Sequence, residues 1–168
     1  MKSNTLYQAT LKMLHNRGVD LDELAELVLE LQQPYVPNLT PEDARKSVDA
    51  VLEKREVQNA IVTGIYLDKA SENGEVEEPL QSLLKEDDPL YGIDEILALS
   101  IVNIYGSIGL TNFGYLDKKK PGVIKKFSNE KNGKVNTFLD DLLCAVAASS
   151  ASRIAHRSRD EKYNDNDL

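Results

Sequence analysis

Apolar residues recur at helical spacing along nearly the whole chain, and that regularity decides which folds are open to it. In LDELAELVLELQQ, Leu21, Leu24, Leu27, Val28 and Leu31 share one helix face. Asp20 stands ahead of them as an N-cap, and Pro34 and Pro37 end the run. The stretch LTPEDARKSVDAVLEKREVQNAIVTGIYLD opens on Thr40 as N-cap with Pro41 at the first helical position, where its missing N–H costs little. Val48, Val51 and Leu52, then Val57, Ile61 and Ile65, continue one apolar face along it. Gly64 either bends this rod or admits a close neighbour. The spacing also predicts helices over Leu6–Leu14, Tyr91–Ile108 and from Thr137 to about Arg157. No segment alternates as a half-buried strand does. The expected fold is all-α, a single compact domain of about six helices over residues 1–158, with 159–168 a flexible tail. Ala145, Ala147, Ala148, Ser149, Ser150 and Ala151 keep the last helix thin, which suits it to a central place among the others.

The remaining segments are polar or mixed. Ser71–Asp88 carries seven acidic residues against one lysine and is broken by Gly74 and Pro79, so it reads as a solvated loop with a short helix at Leu80–Leu84. Leu110–Phe127 is mixed and interrupted by Pro121-Gly122. A net charge of −8 excludes a general nucleic-acid binder. The single cysteine, Cys144, lies in an apolar run and reads as a small buried hydrophobe in a reducing compartment. The opening MKSNTLYQATLKML lacks the apolar core of a secretory signal. Ile96–Leu110, the longest apolar stretch, contains Ser100, Asn103 and Ser107 and is shorter than a bilayer span. The expected location is cytoplasmic.

Chemistry is left to carboxylates and lysines. His15 and His156 stand apart with no metal-ligand spacing, and no glycine-rich dinucleotide motif is present. Asp94-Glu95 enters one apolar helix and Asp140-Asp141 another. Adjacent helical residues point about 100° apart, so one acid of each pair can face inward, although acids near helix N-termini also simply favour the macrodipole. If the inward acids converge with Asp117, they form an oxygen-rich pocket suited to a hard cation such as Mg²⁺. Lys120, three residues after Asp117, is placed to neutralise a phosphate there. From Asp117 to Lys134 there are seven lysines and two acids. Lys118, Lys119, Lys125 and Lys126 are then either solvated surface or a patch attracted to anionic membrane, at about 1 kcal/mol per lysine before screening. In YGSIGLTNFG, Ser107 and Asn112 accompany three glycines, which make either a phosphate cradle or a tight interhelical turn.

FGYLDKKKPGVIKKF followed by GKVNTFLDDLLCAVAA resembles the C-terminal signature of the phosphatidylglycerophosphatase A family: an Asp, a Lys-Pro three residues on, then Asp-Asp opening an apolar helix. These are Asp117, Lys120-Pro121 and Asp140-Asp141, and the family's upstream Asp-Glu is similar to Asp94-Glu95. Through KREVQNAIVTGIYLD and LYGIDEILALSIVNIYGSIGLTNFGYLDKKKPG, the whole chain resembles a soluble, all-helical bacterial branch related to the low-temperature-requirement C proteins. The resemblance implies Mg²⁺-dependent removal of the terminal phosphate of phosphatidylglycerophosphate, with Asp94, Glu95, Asp140 and Asp141 as metal ligands. Asp117 becomes a further ligand, a nucleophile or a general base, and Lys120 a phosphate partner. Ser107, Asn112, Lys118 and Lys119 are the expected substrate contacts, and the implied partner is a phosphorylated lipid headgroup at the inner face of the cell membrane. The chain departs from the family in lacking its N-terminal Gly-, Ser- and Pro-rich motif, for which Gly106–Asn112 is a candidate replacement. It also carries Gly114 where the family has an arginine three residues before the motif Asp. A non-catalytic module on the same fold and a phosphatase of soluble phosphoesters are the other two readings. The extended apolar faces leave pairing with a second copy open.

Overall fold

The computed structural model describes residues 3–129 and 133–165, so Glu130 and Lys131 of the lysine-rich segment lie outside the described residues. The elements are α1 (Ser3–Asn16), α2 (Leu21–Gln32), α3 (Pro41–Leu52), α4 (Arg55–Glu72), α5 (Leu80–Glu86), α6 (Ile93–Val102), a 3-10 turn (Asn103–Tyr105), α7 (Gly106–Lys119), α8 (Ile124–Asn129) and α9 (Leu139–Asp165). No strand occurs among the described residues, and the fold is all-α. Helices outnumber the expected six because the rod from Thr40 is divided into α3 and α4, the helix expected over Tyr91–Ile108 ends at Val102, and the segment Leu110–Phe127, expected to be mixed, holds most of α7 and the start of α8. Helix α9 also continues past Arg157 as far as Asp165.

The expected caps are in place. Asp20 accepts a hydrogen bond from the Asp22 amide at 2.8 Å, and Thr40 with Asp43 forms a reciprocal capping box at the start of α3. The break between α3 and α4 has no Pro or Gly behind it. Lys54 turns extended, and the buried Gln58 amide donates to the Leu52 carbonyl at 2.9 Å, satisfying a group that the end of α3 leaves free.

The second division reverses the chain. Gly106 takes φ +74, a conformation that side chains rarely adopt. Asp94 and Glu95 at the start of α6 lie beside Asp141, and so does Lys120 just beyond α7. A straight helix over Ile93–Lys119 would put those ends about 40 Å apart. Helices α6 and α7 are therefore an antiparallel hairpin, and the Ser152 hydroxyl holds its tip by donating to the Tyr105 carbonyl at 2.8 Å. By length and composition alone this run is apolar enough to cross a bilayer. Here it is folded back on itself, and both arms pack on α9.

Helix α9 is the axis of the molecule. Every residue from Thr137 to Ser152 is buried, and α2, α3, α4, α6, α7 and α8 all pack on it. Its small residues allow that crowding, and one neighbour comes closer still: a Cβ on Gly64 would meet Leu142 Cδ1 at 2.5 Å and Phe138 Cβ at 2.9 Å. Gly64 serves close approach of α4 to α9.

Three anchors fix where α9 begins. Asp68, with no exposed surface, accepts hydrogen bonds from the Phe138 amide through Oδ1 and the Leu139 amide through Oδ2, both at 3.0 Å. Buried Arg17 donates to Glu72 at 2.6 Å and to the Val135 carbonyl at 2.7 Å, while Glu72 accepts from the Val135 amide. Thr137 donates its hydroxyl to the Leu84 carbonyl at 2.6 Å, tying in α5.

Asp68→Ala leaves two buried amides without an acceptor and is expected to cost about 2–4 kcal/mol in urea unfolding, with Asp68→Asn costing less because one acceptor remains. Gly64→Ala is expected to cost about 1–3 kcal/mol in the same measurement by overpacking the α4–α9 contact.

Candidate metal centre

The start of α6, the end of α7 and the start of α9 meet at one end of the hairpin. Asp94 lies on the buried stripe of α6 with Ala98 and Ile101, which turns its carboxylate toward α9. Oxygen atoms of Asp94, Glu95 and Asp141 come within 4.8 Å of one another. Asp94 Oδ1 and Glu95 Oε2 are buried and have no hydrogen-bond partner.

Lys120 faces this cluster from the other side. Its Nζ lies 2.8 Å from Asp117, 3.0 Å from Asp140 and 2.7 Å from Asp141. Lys120 is also the C-cap of α7, with φ +45 and ψ +53, a left-handed conformation that usually falls to Gly. Immediately after it, Pro121 cannot continue the helix. The left-handed cap turns the chain out of α7 while the side chain stays among three carboxylates.

Burial raises the pKa of each inward acid. Asp94 is pushed up to about 7 by burial and then by Glu95 beside it. Asp141 is pushed up to about 8 by burial and by Asp140, against the pull of Lys120. Asp140, held down by Lys120, rises only to about 6. Burial disfavours the Lys120 ammonium, but Asp140 and Asp141 outweigh it and raise its pKa. Asp117, Asp140 and Asp141 thus share one ammonium, and Asp94 and Glu95 stand beside them outside those ion pairs. A divalent ion fits this imbalance. The unpartnered oxygens of Asp94 and Glu95 have no N–H to accept from, and an all-carboxylate donor set is that of a hard cation.

The other expected contacts are placed differently. Lys118 and Lys119 are exposed at the end of α7, next to the cluster, and Lys125 is exposed beyond it. Lys126 is paired with Glu23 of α2 at 2.6 Å. Asn112 lies about 12 Å along the helix from Lys120, its side-chain amide nitrogen buried without a partner. Ser107 is exposed in the first turn of α7, about 20 Å from Lys120, because the glycine segment is the turn of the hairpin. Of the two readings of that segment, the structure has the interhelical turn, and it does not bring Ser107 to the acids.

Similarity to known proteins follows the same residues. A match to the family described as phosphatidylglycerophosphatase A extends over residues 11–156 and so takes in α6, α7 and the buried half of α9. The chain belongs to the phosphatidylglycerophosphatase A family. It is 53% identical to the uncharacterized protein YutG of Bacillus subtilis over 87% of this chain and 88% of that one. It is 51% identical to the uncharacterized protein YpjQ of the same organism over 94% of this chain and 88% of that one. The crystal structure of the low temperature requirement C protein from Listeria monocytogenes superposes with a TM-score of 0.90 at 52% identity, covering 94% of this chain and 99% of that one.

Within this phosphatidylglycerophosphatase A domain, Gly114, where the resemblance leads to an arginine, is exposed, and a Cβ built on it meets nothing within 4 Å among the described residues. The residues that position the centre from behind were not among those singled out by motif. Asp68 is the main one, and its signal is register: it follows Ile61 and Ile65 on the apolar face of α4. Asp87, exposed in the acidic segment, adds to the repulsion that raises the Asp140 pKa.

These shifts have a sign. Asp94, Asp140 and Asp141 all hold protons in the fold at pH values where an unfolded Asp, near 3.9, has released them. Their contribution to stability is therefore most favourable at acid pH and is lost as pH rises from about 4 to about 8. Thermal unfolding in chelator is expected to give a lower Tm at about pH 8 than at about pH 5.5. Added Mg²⁺ should raise Tm more at the higher pH, because binding displaces those protons.

Proposed function

We propose that this chain is a metal-dependent phosphoric monoester hydrolase that removes the terminal phosphate of phosphatidylglycerophosphate. Membership of the phosphatidylglycerophosphatase A family supports the reaction class. The observation that carries the reading is the buried group of Asp94, Glu95 and Asp141, with two carboxylate oxygens unpartnered, directly beside the Lys120 ammonium.

In this reading Asp94, Glu95 and Asp141 hold Mg²⁺, with Asp140 beside them. The ion supplies charge neutralisation at the phosphate and polarises its phosphorus–oxygen bonds. Lys120 donates hydrogen bonds to the phosphate oxygens, and Asp140 and Asp141 keep its ammonium charged and in place. Asp117 is the least buried carboxylate on Lys120. It acts as general base, taking a proton from the attacking water as the water oxygen bonds to phosphorus and the bond between phosphorus and the glycerol oxygen breaks, and then gives that proton to the departing glycerol oxygen. The products are inorganic phosphate and the alcohol. Lys118 and Lys119, exposed at the end of α7, attract the anionic headgroup and the anionic membrane around it, placing the protein peripherally at the inner face of the cell membrane.

One observation favours a different occupant. The space at Gly114 withholds a phosphate contact that the family's arginine supplies, which suits a smaller or less charged substrate or a fold that has lost the reaction.

Phosphate release from phosphatidylglycerophosphate in mixed micelles separates these readings. Activity is expected to require Mg²⁺, and Asp141→Asn and Lys120→Ala are each expected to lower kcat by about 100-fold or more. Release from soluble phosphoesters alone would replace the lipid substrate, and no release from either would leave a non-catalytic module.

A further inference from the structure

Six large apolar side chains stand in water on or beside the α6–α7 hairpin: Leu90, Ile93, Ile96, Ile104, Leu110 and Tyr115, each between 43% and 93% exposed. The faces opposite them, with Ala98, Ile101, Phe113 and Leu116, are buried. No charged side chain is exposed between Pro89 and Tyr115, because the two charged residues in that interval, Asp94 and Glu95, turn into the metal centre. The chain as a whole has 28 acidic and 20 basic residues, so an uncharged outer surface this long sets the hairpin apart.

Its size is that of an interface. The six side chains together expose several hundred Å², on the order of the 300–600 Å² of the largest apolar patch on a typical monomer, which is often functional. Two helices of 10 and 14 residues lying side by side present a corrugated face of roughly 20 by 20 Å. That is about 400 Å² in projection, roughly half the ~800 Å² of accessible surface that each partner of a standard-size complex buries, before the corrugation of the side chains is added.

We propose that this face docks on the same face of a second copy, forming an isologous dimer around the paired hairpins. Charge selects the occupant. Two chains of net charge −8 repel each other, and they meet at least cost where neither brings a charge. The residues exposed among the apolar ones are small, including Ser100, Ser107, Thr111 and Gly114. They let two helix pairs approach closely, which a lipid surface does not need. A bilayer is a poorer match: Lys118 and Lys119 stand at one end only, while Glu86 and Asp87 are exposed just before Leu90. The inference does not depend on the hydrolase reading.

The test is mass in solution. Sedimentation velocity of the full chain between about 10 and 100 µM is expected to give twice 18.7 kDa. Ile96→Glu and Leu110→Glu should each weaken association by at least about 100-fold and return the 18.7 kDa species with unchanged helical circular dichroism. Tyr35→Glu, at an exposed site outside the hairpin, should leave the dimer intact. If an acidic change prevents folding, Ile96→Ser and Leu110→Ser replace it, and the wild-type mass needs no variant. A wild-type monomer throughout, or a dimer that survives both hairpin substitutions, overturns the proposal. So does a monomer that co-sediments with phosphatidylglycerol vesicles and loses that binding in Leu110→Glu, which would assign the face to the bilayer.

Discussion

Helix α9 begins where the wholly buried Asp68 accepts hydrogen bonds from the backbone amides of Phe138 and Leu139. Those are two of the donors that every helix N-terminus leaves unmet, and at a buried terminus they must find an acceptor. Supplying it from α4 sets the register between the two helices. Arg17, in the turn after α1, and Glu72, at the end of α4, hold the approach to the same point. Since six other helices lie against α9, a shift in its starting point would move every layer of the fold, and with it Asp140 and Asp141 in its first turn.

The same turn concentrates negative charge where water is scarce. Burying carboxylates without partners is expensive enough that such groups normally take up protons or find cations. Both responses are visible in this protein. Lys120 pairs with Asp117, Asp140 and one oxygen of Asp141, while burial and the neighbouring Glu95 push Asp94 up to about 7. The centre is thus divided between a side that already holds an ammonium and a side open to an ion.

How much of this is written in the residue order depends on the scale of the feature. The helical class, the caps at Asp20 and Thr40 and the central place of the alanine- and serine-rich helix follow from spacing and side-chain size. The break at Lys54 does not, since LEKRE contains no breaker; packing of α3 and α4 on α9 imposes it. Gly106 is one of three glycines in ten residues, and only the return of Lys120 to Asp141 shows that it is the one that reverses the chain. The acid pairs are legible as pairs. Their inward members are legible by register as well, because Asp94 precedes Ala98 and Ile101 as Asp68 follows Ile61 and Ile65. That the pairs meet is a tertiary fact, created by a hairpin the local sequence does not announce.

Lys120 pairs its ammonium with three acids from a backbone conformation that disfavours a side chain. Left-handed backbone costs a residue with a Cβ roughly 1–2 kcal/mol relative to glycine. A domain whose reaction had decayed would have every reason to drift toward Gly or Asn at such a cap, keeping the turn and relieving the tension. The lysine sits there instead, and what the strained cap secures is an ammonium held among Asp117, Asp140 and Asp141.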